Sequence, residues 1–398
     1  MTKNSVKNLE EQVRQILLQV QKKGDVALSF FIKKFDGLNL SSQQFEISQA
    51  EMRKAFYRIS SETREALEYA AKRIQFFHQQ EFKNIKKVWS ADYEGISIGQ
   101  RALPLESAGV YVPGGRYPYP STVLMTTLPA KVAGVKNIVM VTPPKNLKDE
   151  ILAAAYIAGV DRCFQVGGPS AIAALALGTR TIPKVNKIVG PGNQFVTEAK
   201  RQVFGRVGID GLAGPSEVVV WADSSADENC ILTNLLAQAE HDPQSTSVFF
   251  SQDKNLLQSV KKNTPPEFLL QMNFVYLKSE MEIVQQINEI APEHLYLALK
   301  NYNSAFAKIK NAGAIFLGQN TPVPLGDYSA GPSHVLPTGK SAQFNSGLSV
   351  KDFLKWSSTI EVKTKNSVKA FHSAIQIAEV EGLKHHCSAL KAALEKIL

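Results

Sequence analysis

Gly109-Val-Tyr-Val112-Pro-Gly-Gly115, Cys163-Phe-Gln-Val166-Gly-Gly168 and Lys187-Ile-Val189-Gly-Pro-Gly-Asn193 share one design, a short apolar run ending in a glycine turn. Each leads into a stretch of helical periodicity: Thr122–Val132 (capped by Ser121), Ala171–Leu177 and Phe195–Val203. Asn137-Ile-Val-Met-Val141, followed by the helical pattern Glu150–Ala158, adds another unit, and Val218–Trp221 closes the series. Apolar runs this short and this continuous suit strands buried on both faces, with the intervening helices as cover. The region from Glu106 to Asp223 therefore predicts a parallel α/β sheet.

Working outward, a second alternation follows. Helical patterns at Asn229–Glu240, Asn255–Lys262 and Met281–Ile290 alternate with strand-like Ser247–Phe250, Phe274–Leu277 and Ala314–Leu317. Two α/β domains are expected. The first 90 residues read as helices: Leu9, Val13, Ile16, Leu17 and Val20 share one face, and Phe35-Asp-Gly37 breaks the chain. Ser48-Gln-Ala-Glu51 is a capping box opening a long helical stretch to about Lys83. Thr321–Leu348 reads as a Pro/Gly/Ser-rich loop region, and the tail from Val350 reads as helical again.

The 398 residues are 44% hydrophobic and 20% charged, which suits folded cores rather than disorder. No apolar run approaches the roughly 20 residues of a membrane helix; Ile151–Val160 is about the longest. The first residues are polar, without a signal-peptide core. Cys163, Cys230 and Cys387 are odd in number and far apart, so neither a disulfide framework nor a cysteine-rich zinc module is available. A cytoplasmic protein away from membranes is expected. The net charge of +9 comes from 45 basic against 36 acidic residues, with lysines scattered in ones and twos. No RNP motif, zinc finger or long basic run accompanies them, so the surplus reads as a solvated surface and no nucleic-acid partner is expected.

Glycine turns at the carboxyl ends of parallel strands are where such sheets bind ligands, although every tight turn of this fold needs glycine too. A full G-x-G-x-x-G is absent, since Phe195 stands where the third glycine belongs. Gln238-Ala-Glu-His241 ends a predicted helix, and residues three apart there share a face; a histidine interacting with the helix dipole is the plainer reading. Glu293-His294 follows Pro292. As neighbours their side chains diverge, which suits two separate acid/base groups better than a dyad, or else an ordinary helix start. Gly326-Asp-Tyr-Ser-Ala-Gly-Pro-Ser-His334 offers a carboxylate, hydroxyls and an imidazole in one polar loop, functional or merely a turn network. Glu381 and His385 would be four apart on a helix in the tail, with His386 facing elsewhere. Pooled, these His, Asp and Gln donors suit zinc or another first-row metal. With the glycine turns and an acid/base pair they suggest a dehydrogenase.

The chain resembles the histidinol dehydrogenase family over nearly its whole length, from Gly24-Asp-Val-Ala-Leu28 and Lys34-Phe-Asp-Gly37 to Ala378-Glu-Val-Glu-Gly-Leu383. The strongest stretches are Val110-Tyr-Val-Pro-Gly-Gly-Arg116, Pro120-Ser-Thr-Val-Leu-Met125, Gly190-Pro-Gly-Asn193 and Ala213-Gly-Pro-Ser-Glu217. Leu236-Ala-Gln-Ala-Glu-His241, Ala291-Pro-Glu-His294, Gly326 to Pro337 and Ser346-Gly-Leu-Ser-Val350 complete it. The resemblance implies two Rossmann-like domains (incomplete, doubly wound) with helical N- and C-terminal extensions. The expected division is an arm at 1–20, a discontinuous metal- and substrate-side domain at 21–105 and 217–348, an NAD-side domain at 106–216, and an arm at 349–398.

The resemblance further implies an NAD-dependent, zinc-containing enzyme that takes L-histidinol through L-histidinaldehyde to L-histidine, consuming two NAD. Carried over by motif, Gln238, His241, Asp327 and His386 would hold the zinc, which would also bind substrate nitrogens. His294 would be the main base in both oxidations. Glu293 would activate the water that attacks the aldehyde. Ser216, His334 and Glu381 would help define the substrate pocket, with Glu381 near the imidazole. Tyr111 and Asn193 would contact NAD. The C-terminal arm of one subunit would complete its partner's site, supplying Glu381 and His386 in trans within a homodimer. Where the family usually has Gln in the turn after Val166 this chain has Ser170, which stands as the corresponding NAD-contact candidate, and its N-terminal arm is short. The alternative within enzymes is a paralogous zinc-dependent dehydrogenase of a polyol or sulfonated alcohol; outside them, it is a catalytically dead scaffold or a basic nucleic-acid-binding protein.

Overall fold

Ser107–Tyr111 lies inside a six-stranded sheet, between Asn137–Val141 and Lys187–Val189. Arg162–Phe164 and Glu46–Ile47 extend one side, and Gly208–Ile209 the other. All neighbours are parallel except the edge strand Glu46–Ile47. The chain therefore runs outward in one direction from Ser107–Tyr111 and then returns to its other flank. That reversal is a topological switch point between the ends of Ser107–Tyr111 and Lys187–Val189, where a crevice forms in sheets of this kind. The computed structural model describes residues 3–114, 118–240 and 242–398.

The second sheet is wholly parallel, in the order Met272–Tyr276, Thr246–Ser251, Glu217–Ala222, His294–Ala298, Ala314–Leu317. Successive side chains of a strand face opposite ways. Val218 and Val220 accordingly pack with Ile231 and Leu235, while Val219 and Trp221 pack with Ile283 and Ile287. Burial on both faces explains why these strands read as continuous apolar runs. In the first sheet Val139 and Val141 pack against Ile172 and Leu175 of the helix Gly168–Leu177. Both sheets belong to one compact unit, Met1–Phe82 with Leu105–Phe353.

The second unit, Lys83–Pro104 with Leu354–Leu398, holds an antiparallel sheet in the order Leu354–Val362, Ile96–Pro104, Val88–Tyr93. The hairpin turns on Glu94 and Gly95, both with positive φ (45° and 81°), the geometry of a type I′ turn. Helices Val368–Val380 and Lys384–Glu395 follow. No helix among the described residues is long and apolar enough to cross a membrane.

Several local expectations change. The helical stretch from Ser48 is two helices, Gln49–Arg58 and Ser61–Lys83, interrupted at Ile59, which takes an extended conformation. The tail forms a strand over Leu354–Val362 before any helix begins at Val368, because it has Ile96–Pro104 to pair with. Glu293-His294 does not start a helix. His294 begins a central strand, and the preceding helix Glu280–Ile290 ends at Ala291 in the left-handed region (φ 48°) ahead of Pro292.

Candidate active site

The sharp exit from Glu280–Ile290 delivers Glu293 and His294 to the amino end of the second sheet, beside Glu217 at the start of the neighbouring strand. Both side chains grip the Glu217 backbone. Its N–H donates to Glu293 Oε2 at 3.0 Å, and its carbonyl lies 3.3 Å from His294 Nδ1. A carbonyl only accepts, so Nδ1 carries the proton and Nε2 is the basic nitrogen of the neutral ring. Nε2 faces Asp327 Oδ1 at 3.5 Å, and Glu293 Oε2 is 3.7 Å from Nδ1. The two residues are thus braced by a third, with their reactive atoms apart.

Electrostatics separates their tasks. Both are buried, 6% and 4% exposed. Burial pushes the Glu293 carboxyl up to about 7, against the opposing pull of the His294 charge. For His294 burial works to lower the pKa, but Asp327 and Glu293 outweigh it and the imidazole is raised above its ordinary value. The Glu217 carboxyl is also raised, chiefly by burial. A carboxyl poised near neutrality beside a tautomer-fixed imidazole is suited to proton transfer in water at physiological pH.

Asp327 belongs to the short helix Val323–Tyr328 rather than an irregular loop. Asn234, buried in the helix Glu228–Ala239, accepts the Val323 N–H at 2.8 Å and so ties that element to the helix carrying Gln238. At the other end Arg73 Nε donates to the Ser329 carbonyl at 2.7 Å. His334 reaches back to the Asp327 carbonyl through Nδ1 at 2.9 Å, and its Nε2 lies 3.2 Å from the Thr122 hydroxyl. Thr122 sits in the first turn of Pro120–Ala133, beyond the carboxyl end of the first sheet. His334 thereby links the helix that follows Ser107–Tyr111 to the helix carrying Asp327.

Gln238 is 3% exposed and its Nε2 has no hydrogen-bond partner among the described residues. An unsatisfied buried amide costs about 1–3 kcal/mol. A half-turn of the amide exchanges its nitrogen and oxygen and presents the oxygen instead. Gln238 and Asp327 are oxygen donors on elements tied by Asn234, which fits a first-row metal. Among the described residues no group of three His, Cys, Asp and Glu side chains gathers on its own to hold one. His241 lies outside the described residues. His386 and Glu381 are exposed in the second unit.

On the first sheet Tyr111 is buried and its hydroxyl accepts the Gly168 N–H at 3.3 Å; burial first of all pushes its pKa up to about 12. Ser170 is 2% exposed, with its hydroxyl donating to the Gly167 carbonyl at 2.8 Å. Asn193 is exposed and caps the helix Gln194–Val203, accepting from Phe195 and Val196. Ser216 is half-buried, and its carbonyl accepts the Thr246 N–H. Sequence reasoning assigned no role to Glu217, Asn234 or Thr122. Glu217 and Thr122 at least stood within the quoted stretches Ala213-Gly-Pro-Ser-Glu217 and Pro120-Ser-Thr-Val-Leu-Met125; Asn234 gave no signal.

Two α/β sheets, parallel but for one edge strand, with a buried carboxylate–imidazole pair at the amino end of the second, suit an α/β oxidoreductase of the dehydrogenase type. The family model "Histidinol dehydrogenase" matches residues 1–394. The chain is 45% identical to histidinol dehydrogenase of Aquifex aeolicus, covering 96% of this chain and 92% of that one. It is 44% identical to the Bacillus cereus enzyme of that name, covering 98% and 93%. The crystal structure of histidinol dehydrogenase from Elizabethkingia anophelis superposes with a TM-score of 0.90 at 35% identity, covering 98% and 92%. The chain belongs to the histidinol dehydrogenase family.

Proposed function

We propose that the protein carries out the NAD-dependent four-electron oxidation of L-histidinol through L-histidinaldehyde to L-histidine. The observation that carries the reading is the buried Glu293–His294 pair, braced on Glu217 and divided into a near-neutral carboxyl and a tautomer-fixed imidazole. In the first step His294 Nε2 takes the hydroxyl proton as the alcohol carbon gives its hydride to NAD. The Glu293 carboxylate then removes a proton from water as the water oxygen adds to the aldehyde carbon, while the protonated His294 returns its proton to the carbonyl oxygen, forming the gem-diol. His294 takes a diol hydroxyl proton as the second hydride leaves to a second NAD. Each of the two oxidations yields one NADH and leaves one proton on His294, and burial keeps bulk water from the reacting carbon.

Gln238 and Asp327, with His241 and His386, would hold zinc, which when bound supplies charge that fixes the substrate's amino and imidazole nitrogens. The orphaned Gln238 amide supports this. Ser216 and His334 flank the substrate, with Glu381 near its imidazole. NAD would lie at the switch point of the first sheet, against Tyr111 and Asn193 with Ser170 in the first turn of the helix Gly168–Leu177.

We further propose a homodimer in which Glu381 and His386 serve the partner's site. Their exposure supports this, and so does the second unit's sheet, which leaves Ile360 76% and Tyr93 73% exposed; apolar exposure of this kind marks an interface. A cytoplasmic setting is consistent with three free thiols. The test is NADH formation by purified, zinc-loaded protein offered L-histidinol, polyols and sulfonated alcohols separately. Turnover of L-histidinol is expected; turnover of another alcohol alone would overturn the reading.

A further inference from the structure

Lys200 and Asp210 form an ion pair almost closed to solvent, with side chains 3% and 6% exposed. Such a pair is poor at stabilising a fold, because desolvation offsets most of the attraction. Its position is more informative. Lys200 Nζ donates to the Gly190 carbonyl at 2.9 Å, while Asp210 Oδ2 accepts the Gly190 N–H at 2.7 Å. The other Asp210 oxygen receives Lys200 Nζ and the Gly211 N–H. Both backbone groups of one glycine are therefore held by the two members of one buried pair.

Gly190 ends Lys187–Val189 at the switch point. Its φ is +119°, and a Cβ added there would stand 2.2 Å from the Tyr111 carbonyl oxygen in the adjacent strand. Lys200 lies on Gln194–Val203, the helix that Asn193 caps at the end of the same turn. Strand end, turn and helix are thus joined through one ammonium group. A small cavity of about 30 Å³ is lined by the pair itself together with Gly190, Pro191 and Pro337.

We propose that the Lys200–Asp210 pair positions the Gly190–Asn193 turn for the coenzyme and sets NAD affinity without entering the chemistry. The inference rests on the reading of that turn as the coenzyme site. Charge-assisted hydrogen bonds are the stronger and more directional kind, and they fix the backbone before the ligand arrives.

The test is fluorescence titration of NADH into the zinc-loaded full chain, with steady-state kinetics alongside, for wild type and Lys200→Met/Asp210→Asn, a near-isosteric neutral pair. The variant is expected to bind NADH at least about tenfold more weakly. KM for NAD should rise in parallel, while KM for histidinol and kcat at saturating NAD stay within threefold. A pair that merely stabilised the fold would move the melting temperature and leave this split absent. A folded variant with wild-type NADH affinity overturns the inference. If the double variant does not fold, Lys200→Arg is titrated in the same way; it keeps the charge but changes the reach, and unchanged affinity overturns the inference equally. Wild-type protein that binds no NADH at all would instead remove the coenzyme reading beneath it.

Discussion

Glu293 and His294 are adjacent in the chain, yet their surroundings give them different protonation behaviour. Glu293 is the group whose titration has a cost for the fold. Its folded pKa of about 7 stands above the ordinary 4.5, so the native state favours the protonated form. Its contribution to stability is fully present below pH 4.5 and is lost as pH rises through 7. The whole effect is on the order of 3 kcal/mol. Glu293→Gln should therefore match wild type in urea denaturation at pH 4 and exceed it at pH 8, in metal-free protein; a difference independent of pH would contradict the burial argument. Kinetically, the same replacement should slow aldehyde oxidation by about 100-fold or more while alcohol oxidation persists, whereas His294→Asn should suppress both. Stopped-flow measurement with each substrate separates them, and intact aldehyde oxidation in Glu293→Gln would remove the water-activation role. In the sequence the pair stood out as two adjacent acid/base groups after Pro292, with an ordinary helix start as the equal alternative, and its roles came only from the family resemblance. Their brace was not legible, since it is the backbone of Glu217, remote in sequence.

At the scale of elements, alternation of apolar runs with helices was enough to read both sheets, because each strand is buried on two faces. His294–Ala298 escaped, since an apolar run following Pro-Glu has no periodicity that separates strand from helix. Its central place has a consequence. Leu295 is fully buried between Val219 and Ile315 in register. Leu295→Ala should cost about 2–5 kcal/mol, measured by chemical denaturation, and should lower activity because His294 is its neighbour. A loss below about 0.5 kcal/mol, as at an exposed helix start, would contradict the strand. The position of the Glu293–His294 pair was also beyond sequence. Fold rules direct attention to the carboxyl ends of strands, where Tyr111 and Gly190 indeed lie, whereas Glu293, His294 and Glu217 meet at amino ends.

At the scale of the molecule, the second unit was the least legible part. The strand Leu354–Val362 pairs with Ile96–Pro104, some 250 residues away, and every residue after Leu354 in it is exposed. Neither feature leaves a burial pattern in the sequence. The exposed sheet and tail accord with the proposed dimer, which makes a prediction no single chain can meet. Subunits carrying His386→Ala, mixed with subunits carrying His294→Asn, should recover activity, because each mixed dimer would contain one intact site. Isolated heterodimers without NADH formation would contradict the shared site.

The central claim is that one site performs two successive oxidations. It is tested most directly by counting NADH formed per L-histidinol consumed, in zinc-loaded protein with NAD in excess. A ratio of about two is predicted, since aldehyde held beside Glu293 is hydrated and oxidised again before release. A ratio of about one, with histidinaldehyde accumulating in solution, would contradict it.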